Sequence, residues 1–139
     1  MRYLKNSIDP KLWGPSGWSF IHYTALGYPD NPTEEDKINY KVFYYNLSNT
    51  LPCLKCALNF KENLQNLSID NSLNSREDLF KWTVDIHNMV NNELGKPNLS
   101  HKEAYYKYSK TNNSYSNKDI CIIVGIVFLF LAILYLIKK

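Results

Sequence analysis

Cysteine, glycine and clustered basic residues are all sparse in this 139-residue chain, which has only three cysteines and five glycines. No two of its three histidines have the close spacing that zinc sites commonly use. The basic residues are scattered and the net charge is only +3, which argues against nucleic acid as a partner. The N-terminus lacks the apolar stretch of a secretory signal, and no segment shows strand-like alternation. Hydrophobic residues make up 45% of the chain and charged residues 21%, which are values typical of a globular protein. The absence of strand-like alternation favours a helical one.

The longest apolar stretch, residues 120–137, reads ICIIVGIVFLFLAILYLI and contains no charge over 18 residues. At 1.5 Å per residue a helix of this length spans about 27 Å, close to the roughly 30 Å hydrocarbon core of a bilayer. Every face of the segment is apolar, which favours a transmembrane helix over a buried core helix. We therefore predict a globular domain over 1–109, a polar linker over 110–119 and a C-terminal tail anchor that leaves the domain in the cytosol.

The rest of the chain is predicted to be all-α, a four-helix bundle plus a short fifth helix. The first helix should begin at about Pro10 and end before Tyr28. Gly95 should end the fourth helix, and Ser100 should cap the fifth in a capping box. The four later helices are expected at about 34–49, 53–67, 76–94 and 100–109. Apolar positions on the second helix include Ile38, Val42, Tyr45 and Leu47. The fourth helix has an apolar stripe of Leu79, Trp82, Ile86, Met89 or Val90, and Leu94.

The pair Cys53 and Cys56 is the main candidate for chemistry. A thiol at the start of a helix, here after Pro52, is favoured as a thiolate by the helix dipole. A redox disulfide is therefore the preferred interpretation, although a thioredoxin would require a βαβ pattern that this sequence lacks. The alternative is a membrane-anchored helical adaptor with a structural zinc or a non-catalytic pair. Cys121, at the start of the apolar stretch, is expected to be a buried apolar residue.

Polar and aromatic residues recur at helical spacing on two of the predicted helices. They are Gly14, Trp18 and His22 on the first helix, and His87, Asn88 and Asn91 on the fourth. Each residue alone would suit an ordinary core or surface position. Together they provide rings for stacking, and donors and acceptors for the edges of a flat, nitrogen-rich cofactor.

In order and spacing these motifs resemble the Erv/ALR sulfhydryl oxidases over roughly residues 9–110. The matching motifs are Trp13-Gly14-x-x-x-Trp18-x-x-x-His22, Cys53-x-x-Cys56, and Trp82 followed by His87-Asn88-x-Val90-Asn91-x-x-Leu94-Gly95-Lys96-Pro97. The resemblance implies a helical bundle that binds FAD without a Rossmann fold, usually as a homodimer. It assigns to the flavin pocket Gly14, Trp18, His22, His87, Asn88, Asn91 and Lys96, together with Tyr108 where the family commonly has tryptophan.

The resemblance also implies the reaction, an FAD-dependent oxidation of thiols. Electrons would pass from a partner dithiol through Cys53–Cys56 to FAD and then to O₂, giving H₂O₂. We expect the partner to attack Cys53, as the more accessible sulfur, and Cys56 to lie nearest the flavin. Many family members carry a second cysteine pair that this chain lacks, so a separate dithiol relay protein should be the donor. The short, asparagine-rich chain suggests a large DNA virus, with a virion membrane or a host endomembrane as its location.

Overall fold

The computed structural model describes residues 7–109 and, in the C-terminal apolar segment, residues 122, 125 and 126. The part up to residue 109 belongs to one compact unit. Its elements are α1 (Pro10–Leu26), α2 (Glu34–Thr50), α3 (Leu54–Asn66), a 3₁₀ turn (Asp70–Ser72), α4 (Arg76–Glu93) and α5 (His101–Tyr108). The predicted all-α class and all five helices are confirmed, with bounds within two residues of those expected.

The predicted linker, 110–119, lies outside the described residues, and so does the predicted membrane span, 120–137, apart from residues 122, 125 and 126. Among the residues that the structure describes, no helix is both long enough and apolar enough to cross a bilayer. The span, the tail anchor and the cytosolic placement of the domain therefore stay predictions.

Each α-helix begins at a side chain that accepts a hydrogen bond from the first turn, which satisfies a backbone N–H that has no helical partner. These caps are Asp9, Thr33, Cys53, Ser75 and Ser100. Those at Thr33 and Ser100 are complete capping boxes. Gly95, with φ 64°, follows the end of α4 in a conformation that favours glycine. The local signals in the sequence thus fix where the helices begin and end.

The core forms around α4, which packs against α1, α3, α5 and the 3₁₀ turn. Three positions of the predicted stripe, Leu79, Trp82 and Ile86, are at most 2% exposed, which confirms them as core residues. Met89 and Val90 are half-buried. The last position, Leu94, is 59% exposed, so its place on the buried stripe is wrong. Helix α4 ends at Glu93, so Leu94 lies beyond its last helical residue, and the chain changes direction at Gly95 directly after it.

Helix α2 buries the face that carries Tyr44, which is fully buried and donates a hydrogen bond from its hydroxyl to the Ile21 carbonyl at 3.1 Å. Phe43 and Leu47 pack against the same core. The apolar side chains on the other side are exposed by 60%, 52% and 37% at Ile38, Val42 and Tyr45. The described domain therefore leaves an apolar stripe on α2 facing outward, which we call the α2 stripe (Ile38, Val42 and Tyr45).

Candidate active site

Cys53 and Cys56 are joined by a disulfide at the N-terminus of α3, with their Cα atoms 5.2 Å apart. Cys53 is the N-cap residue, and its Sγ accepts a hydrogen bond from the backbone N–H of Cys56 at 3.2 Å. Within the described part of the chain, no three histidine, cysteine, aspartate or glutamate side chains gather as a metal site would require. The geometry supports a disulfide held where a helix N-terminus would stabilise a released thiolate.

The expected order of exposure of the two cysteines is wrong for this domain. Cys53 is only 6% exposed, whereas Cys56 is half-buried. The chain before α1 lies against the turn that carries Cys53, because the Ile8 N–H donates to the Pro52 carbonyl at 2.8 Å. The sequence offered no sign of this return of the N-terminal segment.

Trp18 of α1 and His87 of α4 lie face to face. Their ring centroids are 3.9 Å apart and their planes differ by 5°. The edge of Phe60, on α3, lies against Trp18 at a centroid distance of 6.3 Å. Because Phe60 follows Cys56 by four residues, it lies one helical turn beyond that cysteine. Three helices thus bring the disulfide and a pair of stacked rings into one neighbourhood.

His22 is completely buried beside this pair. Its Nδ1 lies 2.9 Å from Oγ1 of Thr83, and its Nε2 lies 3.0 Å from Nδ1 of His87. The ring of Tyr108, on α5, approaches His22 with a centroid distance of 4.4 Å. The Lys107 ammonium lies 5.0 Å from the centroid of the Tyr108 ring. The structure therefore brings together Trp18, His22, His87 and Tyr108, which the sequence placed on three separate helices.

Burial lowers the pKa of both histidines. The pKa of His22 falls to about 3, chiefly through desolvation and then through His87 and Lys107. The pKa of His87 falls to about 4, again chiefly through desolvation and then through the positive charges of Lys107 and Lys96. Both imidazoles are therefore neutral at pH 7, each with one N–H donor and one bare nitrogen.

The other predicted site residues differ in how the fold uses them. Asn88 holds the backbone of Leu99, donating to its carbonyl at 2.8 Å and accepting from its N–H at 3.0 Å. Asn91 is 8% exposed, and its side-chain amide has no hydrogen-bond partner among the described residues. A Cβ built on Gly14 would meet nothing within 4 Å, and Lys96 is exposed after the end of α4. Roles in binding a cofactor stay predictions for these four residues, and equally for Trp18, His22, His87 and Tyr108.

Comparison with known proteins identifies the family. The sequence profile of the Erv1/Alr family matches residues 15–113. The chain belongs to the Erv1/Alr family. Over 105 residues it is 48% identical to a probable FAD-linked sulfhydryl oxidase of Acanthamoeba polyphaga mimivirus, covering 75% of this chain and 73% of that protein. It is also 33% identical over 99 residues to the FAD-linked sulfhydryl oxidase of African swine fever virus, covering 71% and 82% of the two chains.

Solved structures of the Erv1/Alr family agree with the fold. The crystal structure of the yeast Erv1 core matches with a TM-score of 0.68 and 30% identity, covering 78% of this chain and 89% of that one. The FAD-binding domain of Erv1 from Saccharomyces cerevisiae matches with a TM-score of 0.68 and 31% identity, covering 73% and 94%. The family predicted from the sequence is confirmed.

The residues of this Erv1/Alr domain suit the chemistry of FAD. Trp18 and His87 offer flat faces for stacking on an aromatic ring system. The side-chain amide of Asn91, which is 8% exposed, can bind a polar edge. The positive charges of Lys96 and Lys107 both act on His87, and cations in this neighbourhood suit a cofactor that carries phosphate groups.

Three residues that contribute to this neighbourhood were missed in the sequence. Phe60 and Thr83 each lie four residues from a predicted site residue, so helical spacing from Cys56 and His87 would have indicated them. Glu93 has no such signal. Its carboxylate accepts hydrogen bonds from the amides of Asn59 and Asn63, both at 2.8 Å, and thereby joins α4 to α3.

Acidification from pH 7 to pH 5 is expected to lower the free energy of unfolding. Unfolded histidines titrate near pH 6.5, whereas His22 and His87 in the folded domain do so at about 3 and about 4. Below about pH 6.5 the unfolded state therefore gains protons that the folded state does not bind, and stability falls. Denaturant unfolding at pH 7, 6 and 5 measures this slope. His87→Gln should make the slope shallower, while His22 keeps its own contribution. A wild-type stability that does not change between pH 7 and pH 5 would contradict the prediction.

Proposed function

We propose that this chain forms disulfides in partner proteins, with Cys53–Cys56 as the electron acceptor and FAD bound beside Trp18 and His87. It is an FAD-linked sulfhydryl oxidase, the activity named for its viral and yeast relatives. The observation that carries the proposal is the placement of the disulfide. It lies one turn before Phe60 on α3, and Phe60 contacts Trp18 of the stacked pair.

The chain's own cysteines perform thiol–disulfide exchange. We propose that a thiolate of the partner attacks Sγ of Cys53, which requires docking to uncover a residue that is only 6% exposed in the described domain. The Cys53–Cys56 bond then breaks, and Cys56 leaves as a thiolate. The partner's second thiolate then attacks the partner sulfur of the mixed disulfide, and Cys53 leaves in turn. The partner has lost two electrons and two protons, and Cys53 and Cys56 have gained them. The N–H of Cys56, which already faces Sγ of Cys53, would stabilise the second leaving group.

The site requires a cofactor to become oxidised again. FAD, when bound, supplies the two-electron acceptor for the Cys53–Cys56 dithiol and passes the electrons on, we propose, to dioxygen, giving H₂O₂. Trp18 and His87 would hold it by stacking, the Asn91 amide by hydrogen bonding, and the cations Lys96 and Lys107 through their charge. Gly14, Asn88 and Tyr108 complete the proposed set, with Asn88 also fixing the segment that carries Lys96.

The electron donor is proposed to be a separate dithiol protein. The sequence has three cysteines, and Cys53 and Cys56 are already joined to each other. Cys121 is then the only other cysteine, and a single thiol cannot form the shuttle pair found in longer family members. The partner must therefore deliver both of its thiols directly to Cys53–Cys56.

We further propose that the domain forms a homodimer through the α2 stripe. Ile38, Val42 and Tyr45 form one exposed face at helical spacing, an unusual use of apolar residues unless another surface covers them. Val42→Lys is expected to convert the dimer to a monomer in sedimentation equilibrium. Leu58→Lys, at an equally exposed position on α3, is the matched control and should remain dimeric. A wild-type monomer at micromolar concentration would rule out this interface.

Residues 120–137 are proposed to anchor the protein to a membrane, a virion membrane or a host endomembrane. The support is the uncharged apolar sequence, whose helical length suits a bilayer. Deletion of 119–139 is expected to move the protein from the membrane fraction to the supernatant in flotation assays while FAD stays bound. A deletion mutant that still floats with membranes would contradict the anchor, and loss of FAD would place part of the cofactor site beyond residue 118.

A further inference from the structure

A buried chain of hydrogen bonds starts at the carbonyl of Phe80 on α4. Oγ1 of Thr83 lies 2.7 Å from this carbonyl oxygen. Two oxygens so close need a hydrogen between them, and only the hydroxyl can provide one. Thr83 has a single hydroxyl hydrogen, and it is used here. Toward His22, Oγ1 of Thr83 can therefore only accept.

This constraint sets the hydrogens of both histidines in turn. Nδ1 of His22, 2.9 Å from Oγ1 of Thr83, must carry the hydrogen. A neutral imidazole carries one, so Nε2 of His22 is bare and accepts from Nδ1–H of His87 across 3.0 Å. Nε2 of His87 is then also bare. Burial, which lowers the pKa of both rings to about 3 and about 4, keeps them neutral at pH 7.

We propose that Thr83 is a positioning residue that fixes the tautomers of both histidines, so that His87 presents a hydrogen-bond acceptor to bound FAD. This inference rests on the proposed flavin function. Stacking on Trp18 fixes the plane of the His87 ring, and within residues 7–109 no group donates a hydrogen bond to its Nε2. The nitrogen is therefore available to an N–H or O–H group of the cofactor, of which FAD has several.

Loss of the Thr83 hydroxyl oxygen would allow the direction of the hydrogen bonds between the two histidines to reverse. In Thr83→Val no acceptor faces Nδ1 of His22, so His22 can carry its hydrogen on Nε2 and donate to Nδ1 of His87. His87 must then hold its own hydrogen on Nε2. Nε2 of His87 would then offer a donor to the cofactor in place of an acceptor. A donor of FAD that faces this N–H would lose its hydrogen bond.

Two measurements on the ¹⁵N-histidine-labelled full-length holoenzyme test this. Imidazole ¹⁵N shifts and their couplings should show Nδ1–H for both His22 and His87 in the wild type. Thr83→Val should move His87 to Nε2–H and weaken FAD binding by about 10-fold to 100-fold. Thr83→Ser, which keeps the hydroxyl, should preserve both properties. Thr24→Val is the matched control, because the Thr24 hydroxyl also donates to a carbonyl of its own helix, that of Phe20, and is bonded to no histidine among the described residues.

Wild-type His22 with its hydrogen on Nε2 would overturn the inference, and so would unchanged tautomers in Thr83→Val. Weaker FAD binding with unchanged tautomers would show that Thr83 only supports packing, and would also overturn it. If Thr83→Val does not fold, the inference is still tested by the wild type and Thr83→Ser. Both must carry the hydrogen on Nδ1 of His22 and of His87. A folded wild type that binds no FAD would instead reject the proposed function, while its tautomers would still be measured.

Discussion

Cys56→Ser is expected to abolish dithiol-dependent oxygen consumption while FAD stays bound. Without Cys56 the remaining thiol cannot form the intrachain disulfide that accepts two electrons, so the rate should fall at least about a thousandfold, to the uncatalysed background. An oxygen electrode with a small dithiol as donor measures the rate, and the absorption spectrum reports the flavin. Cys121→Ser, which removes the cysteine outside the pair, is the matched control and should keep wild-type activity. Substantial activity in Cys56→Ser would reject the role of the pair.

The same serine variants identify the sulfur that the partner attacks. The partner is supplied in its disulfide form, so that the Cys53 thiolate of Cys56→Ser attacks the partner disulfide and one partner sulfur leaves as a thiolate. The mixed disulfide on Cys53 should accumulate, because no Cys56 thiol is present to displace the partner. In Cys53→Ser little adduct should form on Cys56. Mass spectrometry of the trapped adducts distinguishes the two. An adduct that forms on Cys56 in Cys53→Ser, with little on Cys53 in Cys56→Ser, would mean that the partner reacts with Cys56. Cys56 is the more exposed of the two cysteines in the described domain.

Trp18→Ala is expected to weaken FAD binding by about 10-fold to 100-fold, the range that removal of a stacking aromatic ring gives in nucleotide sites. The indole covers the face of His87 at 3.9 Å, so its loss removes one flat surface and leaves the other without support. Titration of FAD by fluorescence quenching gives the affinity, and Trp18→Phe, which keeps a smaller ring, should lie between. Phe20→Leu removes an exposed ring from the same helix and should bind as the wild type does. Equal affinities for Trp18→Ala and Phe20→Leu would remove Trp18 from the site.

The helices were predictable from the sequence because their signals are local. Pro10 follows a capping aspartate, Ser100 and Glu103 form a capping box, and Gly95 adopts the positive φ that ends α4. The buried faces were less predictable. Leu94 continues the apolar period of α4 but lies beyond its last turn, so the tertiary path of the chain decides its exposure.

Within the site, spacing along one helix was informative and contacts between helices were not. The spacing by four of Trp18 and His22 placed them on one face, whereas their meeting with His87 followed only from the resemblance to a family. Beside the nearly buried Cys53, a backbone hydrogen bond joins Ile8 to Pro52, 44 positions apart in the sequence, which no local pattern predicts. Thr83 appeared as an ordinary mid-helix threonine until the fold placed His22 against it.

The paired hydrogen bonds of Glu93 have a mechanical consequence for catalysis. Its carboxylate binds Asn59 and Asn63, so a single side chain braces the cysteine-bearing helix against the helix that carries His87. If a partner protein becomes linked covalently to Cys53 at the N-terminal end of α3, we expect this brace to make α3 and α4 shift together rather than separately. The relative placement of the disulfide and the His87 ring would then be kept while the partner is attached.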